Sequence, residues 1–212
     1  MKKKIAILGS TGSIGKTTIE IIKKNKKDFK VVLVSTRKNI DLVYKQSKLL
    51  NIKNIVITSF DHYKLFKKKY KNQKINVYNH HTIYKKIFKK KIDLVMSSIS
   101  SLDGLKPTLD IIKYTKNIGI ANKESIVCAW DLIKKELKTY NTNFIPIDSE
   151  HFSIFQLLIG NKKKVKKIYL TASGGPFFNK KKLYKNKVKP SEALKHPNWK
   201  MGKKISIDSA TL

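Results

Sequence analysis

Near the amino terminus, the run Ile5-Ala6-Ile7-Leu8-Gly9-Ser10-Thr11-Gly12-Ser13-Ile14-Gly15 joins a short apolar strand to a glycine-rich turn that opens a helix. Glycines at 9, 12 and 15 let the backbone turn tightly and approach a pyrophosphate. The helix starting near Gly15 then points its free N–H groups and the positive end of its dipole at the anion. The spacing is GxxGxxG, not the commoner GxGxxG. Lys16-Thr17 completes the Gly-Lys-Thr of a nucleoside-triphosphate loop, but that loop needs glycine five residues before Gly15, where this chain has Ser10. Dinucleotide binding is the favoured reading; a glycine turn holding no phosphate is the plain alternative.

Short apolar, β-branched segments then alternate with longer helical patterns. Strands are expected at 5–8, 31–34, 54–58, 75–78, 93–97 and 118–121, with helices at 17–24, 41–50, 61–70, near 82–90 and 107–116, and a last one after the 118–121 strand running to about Tyr140. This rhythm implies right-handed βαβ crossovers and a Rossmann-like, doubly wound, mostly parallel α/β sheet, with ligands at the carboxyl ends of the strands. After Phe144-Ile145-Pro146-Ile147 the texture becomes densely polar, which puts a domain boundary near residue 147 and divides the chain into 1–147 and 148–212. The lysine runs at 162–167 and 180–189 read as exposed loops or strand edges.

The charge balance, 47 basic against 14 acidic residues, invites a polyanionic partner. Only Arg37 among the basic residues is arginine, however, whereas groove readers lean on arginine for bidentate base contacts. The lysines are scattered along the whole chain and mark no single face, so a solvated surface is expected and a nucleic-acid partner is not. A single cysteine, Cys128, excludes an internal disulfide and a thiolate metal cluster; it fits a reducing, cytoplasmic setting and reads as a small core residue. No run of 18 apolar residues and no signal peptide are visible, so no membrane span is expected.

Several polar groups could carry chemistry. At the end of the second strand, Arg37-Lys38-Asn39 offers cations and no carboxylate, favouring NADP over NAD; the alternative is one more exposed basic pair. Asp148-Ser149-Glu150 follows a strand, and in extended backbone its two carboxylates would project to one side and grip a hard divalent cation. Opening a helix, the same triplet would instead be an N-cap. Ser173-Gly174-Gly175-Pro176 could cradle a phosphate or be a plain turn. His196 with Trp199 sits in a Pro/Gly-bounded loop that could close over a substrate or pack at an interface. Asn122-Lys123-Glu124 lies at the ligand edge of a strand, where any loop would be polar.

Taken together and in order, GSTGSIG, NKES at 122–125, DSEH at 148–151, SGGPF at 173–177 and HPNWKMGKKISIDSATL at 196–212 resemble the 1-deoxy-D-xylulose 5-phosphate reductoisomerase family over the whole chain. The resemblance implies an NADPH-dependent oxidoreductase that converts 1-deoxy-D-xylulose 5-phosphate into 2-C-methyl-D-erythritol 4-phosphate in non-mevalonate isoprenoid synthesis. It also implies a divalent metal (Mg²⁺, Mn²⁺ or Co²⁺) and a homodimer. The part after residue 147 would then be the start of an α+β catalytic domain. By the same resemblance Thr11, Gly12, Ser13 and Ile14 contact NADPH, as do Arg37, Lys38, Asn39, Asn122, Glu124 and Gly202. Lys123 touches the substrate; Asp148 and Glu150 ligate the metal, with Ser149 and Glu150 also contacting substrate. Ser173, His196 and Ser209 hold the sugar phosphate under Trp199, and Lys123, Asp148, Glu150 and His196 form the catalytic set. Relatives commonly carry a small residue where Arg37 stands.

Members of that family are roughly twice as long, and just beyond the Ser-Ala-Thr-Leu sequence they carry an Asn-Lys pair for the phosphate and a third, glutamate metal ligand. The expectation is therefore a truncated chain that binds NADPH but turns over little or no substrate. A basic, non-catalytic remnant that binds nucleic acid or another polyanion is the alternative, and salt dependence would separate the two.

Overall fold

The computed structural model describes residues 1–71, 73–160, 165–169, 171, 174–178, 188–199 and 202–210, apart from the side chains at 204 and 205. The chain forms two compact units, Met1–Ile159 and Gly160–Leu212.

In the first unit, β1 (Lys3–Leu8), β2 (Phe29–Thr36), β3 (Asn54–Ile57), β4 (Asn76–Tyr78), β5 (Ile92–Ser97), β6 (Thr115–Ile120) and β7 (Asn143–Pro146) pair in parallel in the order β4-β3-β2-β1-β5-β6-β7. Parallel pairing forces each connection to cross a face of the sheet, and the strand period of two sorts the side chains between those faces. Ile5 and Ile7 of β1 join one core with Ile19 and Ile22 of α1 (Ser13–Lys24), Val43 of α2 (Ile40–Leu50) and Phe66 of α3 (Phe60–Lys69). Ala6 and Leu8 join the other, with Tyr84 of α4 (Tyr84–Ile87), Ile111 and Ile112 of α5 (Leu105–Ile112), and Ile133 and Leu137 of α6 (Lys123–Thr139). Burial on both faces is why the strands read as apolar runs rather than alternating patterns. The chain builds outward from β1 to β4, crosses back to β5 and builds outward the other way, so the carboxyl end of β1 is the switch point where such sheets take ligands.

The α/β expectation holds, with local corrections. The helix expected over 107–116 stops at Ile112, because Thr115 already begins β6. The segment expected as a helix near 82–90 is a 3₁₀ turn, His81–Ile83, followed by the single turn of α4. Cys128, expected in the core, is exposed. The buried side of α6 runs Ser125, Ala129, Ile133, Leu137 at every fourth residue, which leaves Val127 and Cys128 on the outer side, next to a break in helical geometry at Ala129. The last strand ends at Pro146, and α7 (Ser149–Leu158) lies within the first compact unit. Of the lysine runs, Val165–Lys167 and Lys189 are described and exposed. Among the described residues no helix is long and apolar enough to cross a membrane.

His81 gives this unit a pH dependence. Its ring is buried, with Nδ1 2.5 Å from the Tyr84 hydroxyl and Nε2 without a hydrogen-bond partner. Burial lowers its pKa from 6.5 to about 4, with Asp110 opposing and His80 assisting. The unfolded chain takes up this proton below about pH 6.5 and the native state only near pH 4, so stability is full above that window and falls as the pH drops through it. The expected loss is on the order of 3 kcal/mol. Urea unfolding at neutral pH and near pH 4.5 should show it, with His81→Gln flattening the difference.

Candidate functional site

The turn after β1 is built by close approaches of main chain to main chain. Gly9 has φ +78°, and a Cβ there would lie 2.8 Å from the carbonyl oxygen of Ser98. Gly15 is tighter still: its Cβ would fall 2.3 Å from Gly9 O and 2.6 Å from Ser10 Cα. Gly12 differs, since a Cβ would meet Gly9 O at 3.4 Å, an ordinary contact. Ser10 is fully buried and exchanges hydrogen bonds with Gln46, whose Oε1 accepts from Ser10 Oγ (2.7 Å) and whose Nε2 donates to Ser10 O (2.9 Å). Ser35 Oγ accepts from Gly9 N at 2.9 Å. Thr11 and Thr36 pair their hydroxyls at 2.8 Å.

The first main-chain bond of α1 runs from Lys16 N to Gly12 O, so the N–H groups of Ser13, Ile14 and Gly15 precede the helical ladder. Gly12, at the N-cap, brings no side chain to them, and the first turn has no acidic residue. Uncapped donors and a positive dipole end facing a glycine turn suit an anion.

This turn lines a cavity of about 610 Å³ whose walls come from the carboxyl ends of neighbouring strands. Gly9, Thr11 and Gly12 lie on one side, with Ser35, Thr36, Arg37, Thr58 and His81 toward β2–β4, and Ser98–Ser101, Asp103 and Pro107 after β5. Of the residues expected at the cofactor, Thr11, Gly12 and Arg37 line this cavity. Thr58, His81, the Ser98–Ser101 stretch and Asp103 line it as well; they carry no motif, and only the rule that ligands sit at strand carboxyl ends points at their loops. Lys38 is exposed beside Arg37, and the exposed Asn39 caps α2 by accepting from Leu42 N at 3.1 Å. Ser13 and Ile14 are exposed at the start of α1. The guanidinium of Arg37 pairs with the Asp103 carboxylate, Nη1 to Oδ2, at 3.2 Å.

Asn122 holds the far wall. Its side chain is buried; Nδ2 donates to Ile99 O at 2.7 Å and Ser101 O at 2.5 Å, while Oδ1 accepts from Ser125 N at 3.0 Å and caps α6. Lys123 and Glu124 follow in the first turn of α6, with Lys123 exposed.

Asp148 and Glu150 come from the adjacent strand end, after β7. The same-side geometry of an extended Asp-Ser-Glu segment does not occur, because Ser149 already begins α7 and Asp148 is its N-cap. Both hydrogen bonds from His151, backbone N at 3.1 Å and Nδ1 at 2.7 Å, land on Asp148 Oδ1. Partial burial pushes the Asp148 carboxyl up, but the His151 bonds and the nearby Lys123 charge outweigh this, leaving it below the usual carboxylate value and ionised at neutral pH. Glu150 Oε2 accepts from the Ser149 hydroxyl at 2.9 Å. These are hard oxygen donors of the kind Mg²⁺ takes, but the described residues bring together no group of three or more His, Cys, Asp or Glu side chains placed to hold a metal ion. The pair fits a metal only as part of a set completed by water, substrate or further ligands.

The second unit gathers two of the late motifs. Gly174 has φ +67°, and a Cβ on Gly175 would fall 1.9 Å from Ser209 O, so the Gly-Gly turn lies directly on the main chain at 209–210. Phe177 N donates to Ala210 O at 2.9 Å. Ser209 is buried there, its hydroxyl donating to Ser206 O at 3.3 Å. Ser173 lies outside the described residues. His196 Nδ1 accepts from the backbone N–H groups of Asn198 and Trp199, both at 3.2 Å, which sets the loop that carries the exposed Trp199. Gly202 O accepts from Ser206 N at 3.0 Å at the start of α9 (Lys203–Asp208), which follows the short α8 (Pro190–Ala193).

Comparison with known proteins bears on all of this. Residues 5–130 match the family model for 1-deoxy-D-xylulose 5-phosphate reductoisomerase, and residues 144–212 match the model for that enzyme's C-terminal domain. The chain is 55% identical over 214 residues to the reductoisomerase of Pelagibacter ubique and 45% identical over 212 to that of Thermodesulfovibrio yellowstonii, covering 99% of this chain and 55% of each relative. In structure it is similar to the Zymomonas mobilis enzyme in complex with NADPH, at TM-score 0.86 and 32% identity, over 99% of this chain and 54% of that one. A reductoisomerase complex with NADPH, fosmidomycin and magnesium superposes at TM-score 0.83 and 32% identity, over 98% and 54%. The chain thus spans about half the length of the relatives it matches.

Proposed function

The chain belongs to the 1-deoxy-D-xylulose 5-phosphate reductoisomerase family, and from that premise we propose that it carries the NADPH site and part of the substrate site for making 2-C-methyl-D-erythritol 4-phosphate. The observation that carries the reading is the uncapped amino end of α1 over a glycine turn, opening on a cavity of dinucleotide scale at the switch point of the sheet. In this reading Thr11, Gly12, Ser13 and Ile14 receive the pyrophosphate, and Arg37, Lys38 and Asn39 receive the 2′-phosphate. Asn122, Glu124 and Gly202 take the cofactor contacts that the family resemblance assigns to them.

Asp148 and Glu150 would hold a divalent cation, with Ser149 and Glu150 also touching substrate. When bound, NADPH supplies a hydride and the metal polarises the ketone and hydroxyl oxygens of the sugar. This chain's own residues bind and orient. The cap bonds from His151 fix Asp148 and keep it anionic, and the Lys123 ammonium beside it offers a cation to substrate oxygens. Ser173, His196 and Ser209 would take the sugar phosphate, with Trp199 as a cover. The bonds from Asn198 and Trp199 to Nδ1 orient the His196 ring for that role. The domain boundary near residue 147, a homodimer and a cytoplasmic setting belong to the same proposal. The polyanion-binding alternative finds no support in the relatives described above.

Titration with NADPH and NADH, followed by nicotinamide fluorescence at physiological salt, tests this. Saturable binding that prefers NADPH is expected; a chain that melts cooperatively yet binds neither nucleotide would overturn the reading.

A further inference from the structure

We propose that Asp103 is a specificity-determining residue of the cofactor site, a carboxylate that competes with the cofactor's 2′-phosphate for the Arg37 guanidinium. The inference rests on the proposed assignment of Arg37 to the 2′-phosphate and adds a residue to which neither the motifs nor the family resemblance gives a role.

The two side chains come from opposite sides of β1, Arg37 from the end of β2 and Asp103 from the loop after β5, and both line the cavity. They meet at 3.2 Å, and both are largely exposed. An exposed pair of this kind is weak in itself, so it yields readily to a better anion.

The main chain under each partner is held in place. Arg37 O accepts from Ser59 N at 3.2 Å, and Ile40 N donates to Lys38 O at 2.8 Å. On the other side Asn122 grips Ile99 O and Ser101 O, and a Cβ on Gly104 would lie 2.4 Å from Asn122 Nδ2 and 2.6 Å from Ile99 O. Ser101 in this loop has a left-handed backbone, φ +61°. With both loops held, the Asp103 carboxylate and the Arg37 guanidinium stay within reach of each other.

A 2′-phosphate reaching Arg37 therefore has to share the cation with Asp103 or displace it, and it meets a like charge in either case. A 2′-hydroxyl meets neither penalty and can donate to the carboxylate. Asp103 thus narrows the preference for NADPH over NADH that Arg37 creates.

The test is Asp103→Asn, with Asp103→Ala as a second variant, titrated with NADPH and with NADH on the full chain after a thermal melt confirms folding. NADPH affinity should rise about three- to tenfold at low salt, and less at high salt, while NADH affinity stays within about twofold. In an Arg37→Ala background the gain for NADPH should largely disappear. If the parent chain selects NADPH but neither variant tightens it, or if both nucleotides tighten equally, the role of Asp103 is refuted and the cofactor reading stands. If the parent chain binds no NADPH, the cofactor reading falls and the inference falls with it.

Discussion

Gly15→Ala should abolish detectable NADPH binding and lower the stability of the chain by about 3 kcal/mol. The added carbon would sit 2.3 Å from Gly9 O and 2.6 Å from Ser10 Cα, both main-chain atoms that cannot rotate away. Relief requires α1 to move off the turn, and that movement disturbs the Ser10–Gln46 bonds and the N–H groups proposed for the phosphates. Gly12→Ala is the informative companion. Its Cβ clears the protein at 3.4 Å, so stability should change little, yet Gly12 lines the cavity, so nucleotide affinity should still fall. Urea midpoints and NADPH titrations on both variants separate the two effects. A Gly15→Ala chain that unfolds and binds like the parent would show that the turn does not set the site.

Asn122→Ala is the second large effect. One buried side chain makes three hydrogen bonds, two to the Ile99–Ser101 loop and one capping α6. Losing the cap and leaving the part-buried carbonyls of Ile99 and Ser101 without their donor should cost about 2–4 kcal/mol. NADPH affinity should fall as well, because Ser98–Ser101 form part of the cavity wall. Asn122→Asp distinguishes the clamp from the cap. Aspartate caps a helix as well as asparagine does, but it places a carboxylate against the carbonyls of Ile99 and Ser101. It should be no better than alanine; a variant that behaved like the parent would mean that the cap alone matters.

The strand rhythm and the glycine turn were legible in the sequence because both are local, carried by apolar runs of four to six residues and by Gly12 and Gly15, whose nearest contacts lie within their own turn. The errors came where tertiary context decides. Lys113–Lys116 continues a helical pattern, yet the pairing of Thr115 with Ile92 draws it into β6. Cys128 sits in an apolar stretch, but which side of α6 faces the sheet is set by Ile133 and Leu137 further along. At Asp148-Ser149-Glu150 both geometries fitted the sequence, and the helix took it because Asp148 supplies the cap. Asp103 carried no motif, since its meaning depends on an arginine 66 residues away.

The placement of β1 between β2 and β5 also governs the order in which the protein can be made. On the ribosome β1 emerges before the other strands of its sheet, and β2 can dock beside it early, but its other neighbour begins only at Ile92. Until then one edge of the central strand stays open, and Gly9 has no Ser98 to rest on. Pairings between distant segments form late and slowly because loop closure precedes any gain from contact. The lysines that crowd this chain give the waiting, half-built sheet a strong like charge, which opposes its association with other nascent copies during that interval.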